Sequence, residues 1–327
     1  MTDGATPGGS VRVTIDDVAL AAGVSRQTVS RAMNGKGEIS AATRRKVLAT
    51  IEELDYRPSA FARGMRTQRA GTLALVLPDI ANPFFPAVAR GVFDAAAGRG
   101  LAVVVHNTDA DADVEAEAAR AIVDAGAAGA IGFFEALDDA SLRALGRRIP
   151  LVVADRPSPE DQVASVRSDF AAGTRAAVEH LFAVGHERLG MLDGAVLGKP
   201  DRRRTFLEVL AEHGHPDPAG HVVTAPPTVS GGTAGVRELR ERHPEVTGVF
   251  AFNDLLAIGA LRAGEEVAVV GYDDITMAAL LDPPLTTVHT DKYELGRTLV
   301  EVLGRRLDGH PPEHRMLAPR LVVRASA

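Results

Sequence analysis

The segment TIDDVALAAGVSRQTVSRAMN (Thr14–Asn34) constrains the fold of this chain more than any other stretch. Ala19, Gly23 and Val29 stand at the intervals that two short helices crossing through a tight turn impose. Ala19 is small where the second helix crosses the first. Gly23 stands where the chain must turn sharply, because without a Cβ a positive φ costs little. Val29 is the apolar residue that seats the second helix. Thr14, with Asp17 three residues on, reads as a capping-box start for the first helix. Ser25 reads as the N-cap of the second. Arg26, Gln27 and Thr28 then form its first turn, where a recognition helix offers side chains to base edges.

At 327 residues, 46% of them hydrophobic, the chain has room for two or three globular domains with a sizeable core. No apolar run approaches the length of a membrane span. The start, MTDGATPGGS, has neither a basic n-region nor an apolar h-region, so no secretory signal and a cytoplasmic location are expected. Cys is absent, which excludes disulfides and thiolate metal sites. The net charge of −7 is unevenly spread. Residues 1–66 hold 10 Lys+Arg against 7 Asp+Glu, a net of +3, which leaves −10 on the remainder. A basic head on an acidic body suits a protein that touches phosphate with one end only.

The head continues with a third helix, capped by Ser40 and running to about Leu54, with Val47, Leu48, Ile51 and Leu54 as its apolar face. Tyr56-Arg57-Pro58 stops it, since Pro58 restricts Arg57 to an extended conformation. The basic segment SAFARGMRTQRA (59–70) follows, too short to hold a helix alone. From Gly71 the texture changes. Apolar runs recur at 73–77, 101–105, 129–134, 150–155, 189–194, 249–252 and 266–274. Between them lie Ala-rich stretches of helical period, such as 85–99, 114–125 and 170–184. Continuous apolar strands alternating with helices indicate parallel sheets covered on both faces. Their number exceeds one small sheet, so two doubly wound lobes are expected, with a crossing near Ser165–Asp169 and ligand chemistry at the strand C-termini.

Nine segments in order resemble the lac-repressor and galactose-repressor family of bacterial transcription factors. They are DVALAAGVSRQTVSRAMN (17–34), LDYRPSAFAR (54–63), PDIANPFF (78–85), VVADRP (152–157), EHLFAVGHERLGML (179–192), FAFNDLLAIGAL (250–261), VAVVGYDD (267–274), PPLTTVH (283–289) and LVVRAS (321–326). The resemblance implies an all-α helix-turn-helix head joined by a hinge to an α/β body of two doubly wound parallel-sheet lobes, like a periplasmic binding protein. The expected divisions are a disordered N-terminus at 1–12, the DNA-binding domain at 13–58, the hinge at 59–70 and the effector-binding and dimerisation body at 71–327. Within the body the N-lobe is expected at about 71–166 and 290–315, and the C-lobe at about 167–289 and 316–327.

The family's function carries over residue by residue. A dimer is expected to set two recognition helices into successive half-sites of a near-palindromic operator, most often as a repressor. Arg26 and Gln27 match the family's base-reading positions, with Arg31 one turn further; Arg suits guanine and Gln suits adenine. Ser25, Thr28, Ser30 and Asn34 are expected at phosphate or positioning contacts, and Thr14, Tyr56 and Ala62 are further expected DNA contacts. Met65 matches the position where the family wedges a Leu into the minor groove at the operator centre. Gly64 beside it weakens a hinge helix, which is expected to form only on DNA.

In the body, Asp79, Asn82, Phe84, Asp155, Arg202, Asn253 and Asp273 are the expected effector contacts, with Phe84 as a stacking wall and Phe85 left to helix packing. The run Arg202–Arg204 leaves the ligand-clamping Arg open by one position and a solvated basic cluster as its alternative. This set suits a neutral polyhydroxylated effector such as a sugar or nucleoside. Three departures from the family bear on that reading. PPTVSGG (226–232) lacks an aromatic, the 260–274 stretch is about five residues short, and Thr205 stands where Gly is usual. Absence of Trp points the same way. The alternative is a regulator that needs no effector or works with a protein corepressor.

Other classes find less support. No GxGxxG follows a strand, and GAVLGKP (194–200) is one residue short of a P-loop with Pro200 in place of Ser/Thr. The ten His residues show no metal-ligand spacing and are expected on the surface or at helix ends. No catalytic residue, metal or cofactor is therefore expected. A sugar-transport protein shares the body but needs export. The chain ends three residues after Arg324 without a Leu-heptad extension, so a homodimer is expected, joined through 85–99 and Ile275–Leu281.

Overall fold

A computed structural model describes residues 13–34, 39–56, 71–158, 163–194, 201–215 and 219–327. The expected 1–12 stretch, the 59–70 segment with Ala62 and Met65, and the side chain of Asn34 lie outside the described residues. The chain divides into two compact units, Met1–Ala70 and Gly71–Ala327.

In the first unit, α1 (Ile15–Ala22), α2 (Arg26–Asn34) and α3 (Ala41–Glu53) pack on one small core. The Thr14 hydroxyl accepts the Asp17 N–H at 3.3 Å, and the Asp17 carboxylate accepts the Thr14 N–H at 2.7 Å, a reciprocal capping box. The Thr14 hydroxyl also donates to that carboxylate at 2.7 Å, and this bond, with the one from the Thr14 N–H, holds the Asp17 carboxyl below its ordinary range. Gly23 ends α1 at φ 63, and the next residue's N–H closes on the Ala19 carbonyl at 3.0 Å. Ser25 caps α2 through the Thr28 N–H at 3.1 Å, and Ser40 caps α3 through the Thr43 N–H at 3.1 Å. Val18, Ala22, Val29, Ala32 and Val47 are fully buried. Leu48, expected on the apolar face of α3, is instead 43% exposed. Thr50 turns inward in its place and satisfies its hydroxyl on the Lys46 carbonyl at 3.0 Å.

The second unit holds two six-stranded sheets. The N-lobe sheet joins β1 (Thr72–Leu77), β2 (Ala102–Asn107), β3 (Gly129–Gly132), β4 (Leu151–Ala154), β5 (Ala164–Ser168) and β11 (His314–Leu317) in the order β11-β5-β4-β3-β1-β2, all parallel. The C-lobe sheet joins β6 (Leu189–Asp193), β7 (Val222–Thr224), β8 (Gly248–Ala251), β9 (Ala268–Asp273), β10 (Thr286–His289) and β12 (Arg320–Val322) in the order β12-β10-β9-β8-β6-β7. Only β12 runs antiparallel, against β10.

Strand alternation divides the core as a doubly wound fold requires. Leu73, Leu75 and Leu77 of β1 face a cluster with α4 (Phe84–Gly98) and α11 (Lys292–Leu307), while Ala74 and Val76 face α5 (Ala112–Asp124) and α6 (Asp139–Gly146). In the C-lobe, Val249 and Ala251 face α9 (Val229–Arg242) and α10 (Asp254–Arg262), and Phe250 faces α7 (Phe170–Ala183) and α8 (Asp201–Glu212). The chain passes between lobes after β5, after β10 and between β11 and β12. The strand β11 runs to Leu317, beyond the expected change of lobe after 315.

α4 and α11 cross with two glycines in the contact. A Cβ on Gly91 would stand 2.1 Å from the Tyr293 carbonyl oxygen, and one on Gly296 would stand 2.2 Å from that of Val88. Backbone touches backbone there, and no other residue fits without moving a helix.

Candidate functional site

On the head, α2 presents one polar face. Arg26, Gln27 and Arg31 are exposed, Thr28 and Ser30 are half-buried, and Val29 and Ala32 turn to the core. The three- and four-residue steps along this face put Gln27 and Arg31 on one line. Arg26 Nε lies 3.9 Å from Asp16, with both side chains largely in water, so the pair leaves Arg26 free to swing. Thr14 and Ser25 are occupied as caps. Tyr56, expected at a DNA contact, is 9% exposed and packs in the head's core, so its ring serves packing.

In the body, the C-terminal ends of the strands converge on a cavity of about 410 Å³. All seven expected contacts line it: Asp79 and Asn82 after β1, Phe84 opening α4, Asp155 after β4, Arg202 on α8, Asn253 after β8 and Asp273 ending β9. Phe85, assigned to packing from the sequence, lines it too. Phe84, Phe85 and Phe133 meet edge to face, with centroids 5.0–5.9 Å apart, which makes one aromatic wall of two helix residues and a strand-end residue. Pro78, Asp109, Ala110, Glu135, Pro227 and Phe252 complete the lining; Asp109 and Glu135 carried no sequence signal, since each stands on a loop without a motif.

The basic run resolves into one buried and two surface residues. Arg202 is 4% exposed, and its guanidinium lies 4.4, 4.2 and 4.1 Å from the ring centroids of Phe170, Phe252 and Tyr272. Arg203 and Arg204 have side chains 48% and 57% exposed. Arg202 Nη2 stands 3.6 Å from Asp273, and its Nε has no hydrogen-bond partner among the described residues. A buried charged donor left this way costs about 1–3 kcal/mol or more unless an oxygen from outside the chain meets it.

The other polar groups are held by backbone. Asn253 caps α10 through its side-chain oxygen on the Leu256 N–H at 2.9 Å, which leaves its NH2 to donate. Asp155 accepts the Ser168 N–H at 2.9 Å. Glu115, fully buried, accepts the N–H groups of Glu135, Ala136 and Leu137, at 2.8 Å for the last, and fixes the loop that brings Glu135 to the cavity. Burial pushes the Glu115 carboxyl above its ordinary range against the pull of those bonds. Asp109, Ala110, Asp155 and Asp273 line the cavity with φ of 52, 54, 52 and 108. Backbone held in so sparse a region costs of order 1–3 kcal/mol per residue.

Behind the cavity, Asp254 is fully buried; it accepts the Ile275 N–H at 2.8 Å and the Thr287 hydroxyl at 2.5 Å. Burial, reinforced by the nearby Asp273 charge, raises its carboxyl well above the ordinary range. Lys292, at the start of α11, donates to the carbonyl oxygens of Asp273, Asp274 (3.0 Å) and Thr290 (3.2 Å), tying the N-lobe helix to the C-lobe rim.

Comparison with known proteins agrees with both parts. Residues 14–59 match the bacterial regulatory proteins of the lacI family, and residues 178–327 match the periplasmic binding protein-like domain. The ribose operon repressor of Halalkalibacterium halodurans is 36% identical over 323 residues, covering 95% of this chain and 96% of that protein. The solved transcriptional regulator CelR–cellobiose complex is 32% identical with a TM-score of 0.72, covering 97% of this chain and 100% of that one. The lac repressor dimer bound to operator and the anti-inducer ONPF is 26% identical with a TM-score of 0.82, covering 97% and 99%.

Proposed function

The chain belongs to the lacI family of bacterial regulatory proteins, and on that premise we propose that it is a repressor whose dimer grips a near-palindromic operator until a neutral sugar enters the body cavity. Membership makes it a DNA-binding transcriptional regulator rather than an enzyme. No helix among the described residues is long and apolar enough to cross a membrane.

Arg202 carries the effector reading. Its orphaned Nε and three aromatic neighbours form a rigid donor that a sugar hydroxyl or ring oxygen satisfies, with Asn253 donating and Asp155 and Asp273 accepting around it. The lining holds Asp79, Asp109, Glu135, Asp155 and Asp273 against Arg202 alone, a field that repels phosphorylated or carboxylated ligands. Relatives support the class: one is a ribose operon repressor and another is solved with cellobiose. For DNA, Arg26, Gln27 and Arg31 read base edges while Ser25, Thr28, Ser30 and Asn34 set the register on phosphates. Met65 wedges the operator centre from the 59–70 hinge. The dimer forms through α4 and the Ile275–Leu281 turn, where Phe93, Met277 and Leu280 are 46%, 41% and 78% exposed.

Selection of protein-bound DNA from a random pool, followed by release with ribose, cellobiose or lactose, tests this reading. A near-palindromic site released by one of the sugars supports it. Selection of no sequence, or a site that no sugar and no other neutral glycoside releases, overturns it.

A further inference from the structure

Far from the cavity, the opposite end of the C-lobe gathers three side chains that the sequence keeps apart. His221 closes the single turn Ala219–His221 that leads into β7, and His243 and Glu245 stand on the turn that follows α9. His221 is 6% exposed, and its Nδ1 lies 3.1 Å from the Leu189 carbonyl oxygen. A carbonyl only accepts, so Nδ1 carries the proton and the neutral ring keeps its lone pair on Nε2. That Nε2 faces Glu245 Oε1 at 3.6 Å, and the same oxygen lies 3.4 Å from His243 Nδ1. One ligand atom from each residue lies within 4.8 Å of the other two. The rings of His221 and His243 have centroids 4.1 Å apart, and the His215 ring packs edge-on against His221 at 4.5 Å.

With its proton on Nδ1, His221 turns a lone pair toward the Glu245 carboxylate, and a cation between the two would satisfy both acceptors. A proton on one imidazole would draw the carboxylate to about 2.7–2.9 Å, and the observed separations are longer. The two separations from Glu245, 3.6 and 3.4 Å, lie close to what a small ion asks of its ligands. Tetrahedral zinc with bonds of about 2.0–2.1 Å to nitrogen and oxygen sets its ligand atoms ~3.3–3.4 Å apart. An imidazole whose other ring nitrogen is fixed on a backbone carbonyl is also how proteins orient a metal-binding histidine.

We propose that His221 Nε2, His243 Nδ1 and Glu245 bind a divalent transition metal, with water in the fourth position. Two imidazoles and one carboxylate favour Zn2+ over Mg2+, which demands oxygen ligands and six-fold geometry. The Glu245 side chain, 47% exposed, gives the ion its path from solvent. The bound ion joins the turn before β7 to the turn before β8. Those two strands lead at their other ends to Pro227 and Asn253 of the cavity, so the metal stiffens the lobe at the end remote from the effector.

The test uses the full chain stripped with EDTA, titrated calorimetrically with ZnCl2 and followed by thermal unfolding, with MgCl2 as the comparison. One Zn2+ per chain with a rise in Tm, and no response to Mg2+, is the expected result. His243→Ala and Glu245→Gln each weaken Zn2+ binding by about 10–100-fold and remove the rise, whereas His310→Ala, at an exposed histidine elsewhere, changes neither. Glu245→Gln alters one partly exposed group, so its metal-free Tm stays near that of the parent and isolates the binding effect. Parent-like Zn2+ affinity in Glu245→Gln and His243→Ala, or no binding by the parent at micromolar Zn2+, overturns the site.

Discussion

Arg202 Nη2 and Asp273 Oδ1 are 3.6 Å apart, close enough to balance charge and too far to share a hydrogen bond. The three rings packed round the guanidinium keep it from closing the distance itself.

Arg202→Lys keeps the charge but loses the planar fork that rests on those rings. Sugar binding falls by about 10–100-fold, the loss of one hydrogen bond to a charged group, while operator affinity without sugar is unchanged. Calorimetry with the sugar that releases the parent protein, beside a gel-shift titration, reads both. Unchanged sugar affinity removes Arg202 from the site.

Gln27→Ala relaxes base preference at one position of each half-site, by about 1–3 kcal/mol, and leaves the rest of the operator preference intact. Repeating the DNA selection with the variant measures this directly. A uniform loss across all positions would assign Gln27 to the phosphates instead.

Gly296→Ala forces a methyl group onto the Val88 carbonyl, which α4 cannot yield without separating from α11. A loss of at least about 1–3 kcal/mol is expected from urea unfolding, the usual range for overpacking. Gly98→Ala, on the same pair of helices but facing open space, serves as the neutral control.

Asp254 carries the pH prediction. Its folded carboxyl titrates above the unfolded one, so its contribution to stability is complete below the ordinary carboxylate range and is lost as pH rises through the folded value. Asp254→Asn keeps an acceptor for the Ile275 N–H and removes the buried charge. The parent's Tm is expected to fall relative to that of Asp254→Asn as pH rises from 4.5 to 8.5. Parallel Tm curves would show that Asp254 does not titrate in this window.

The head was readable from its sequence because its determinants are local. Caps, a turn glycine and an apolar anchor act within a few residues, and Thr14, Gly23, Ser25 and Ser40 take the roles that their chemistry dictates. Leu48 was misjudged because the direction of a side chain on a short helix depends on what packs across from it. The cavity was legible where a polar residue directly follows an apolar strand, as at Asp155, Asn253 and Asp273. Asp109 and Glu135 reach it through loops whose shape is set elsewhere; Glu115, twenty residues before Glu135, fixes one of them. His221 and Glu245 lie 24 positions apart in sequence, and only the strand order of the C-lobe brings them together.

The passages between lobes run side by side. Ser168 pairs with Leu317 at one end and His289 with Arg320 at the other, and Lys292 pins the carbonyls next to them. Three adjacent tethers oppose sliding and twisting of one lobe on the other more than rotation about a line through them. Ligands of different size that draw the lobes together would then meet the same low-resistance rotation. A chain of this design can change its effector by substitution in the cavity without redesigning the movement that reports it.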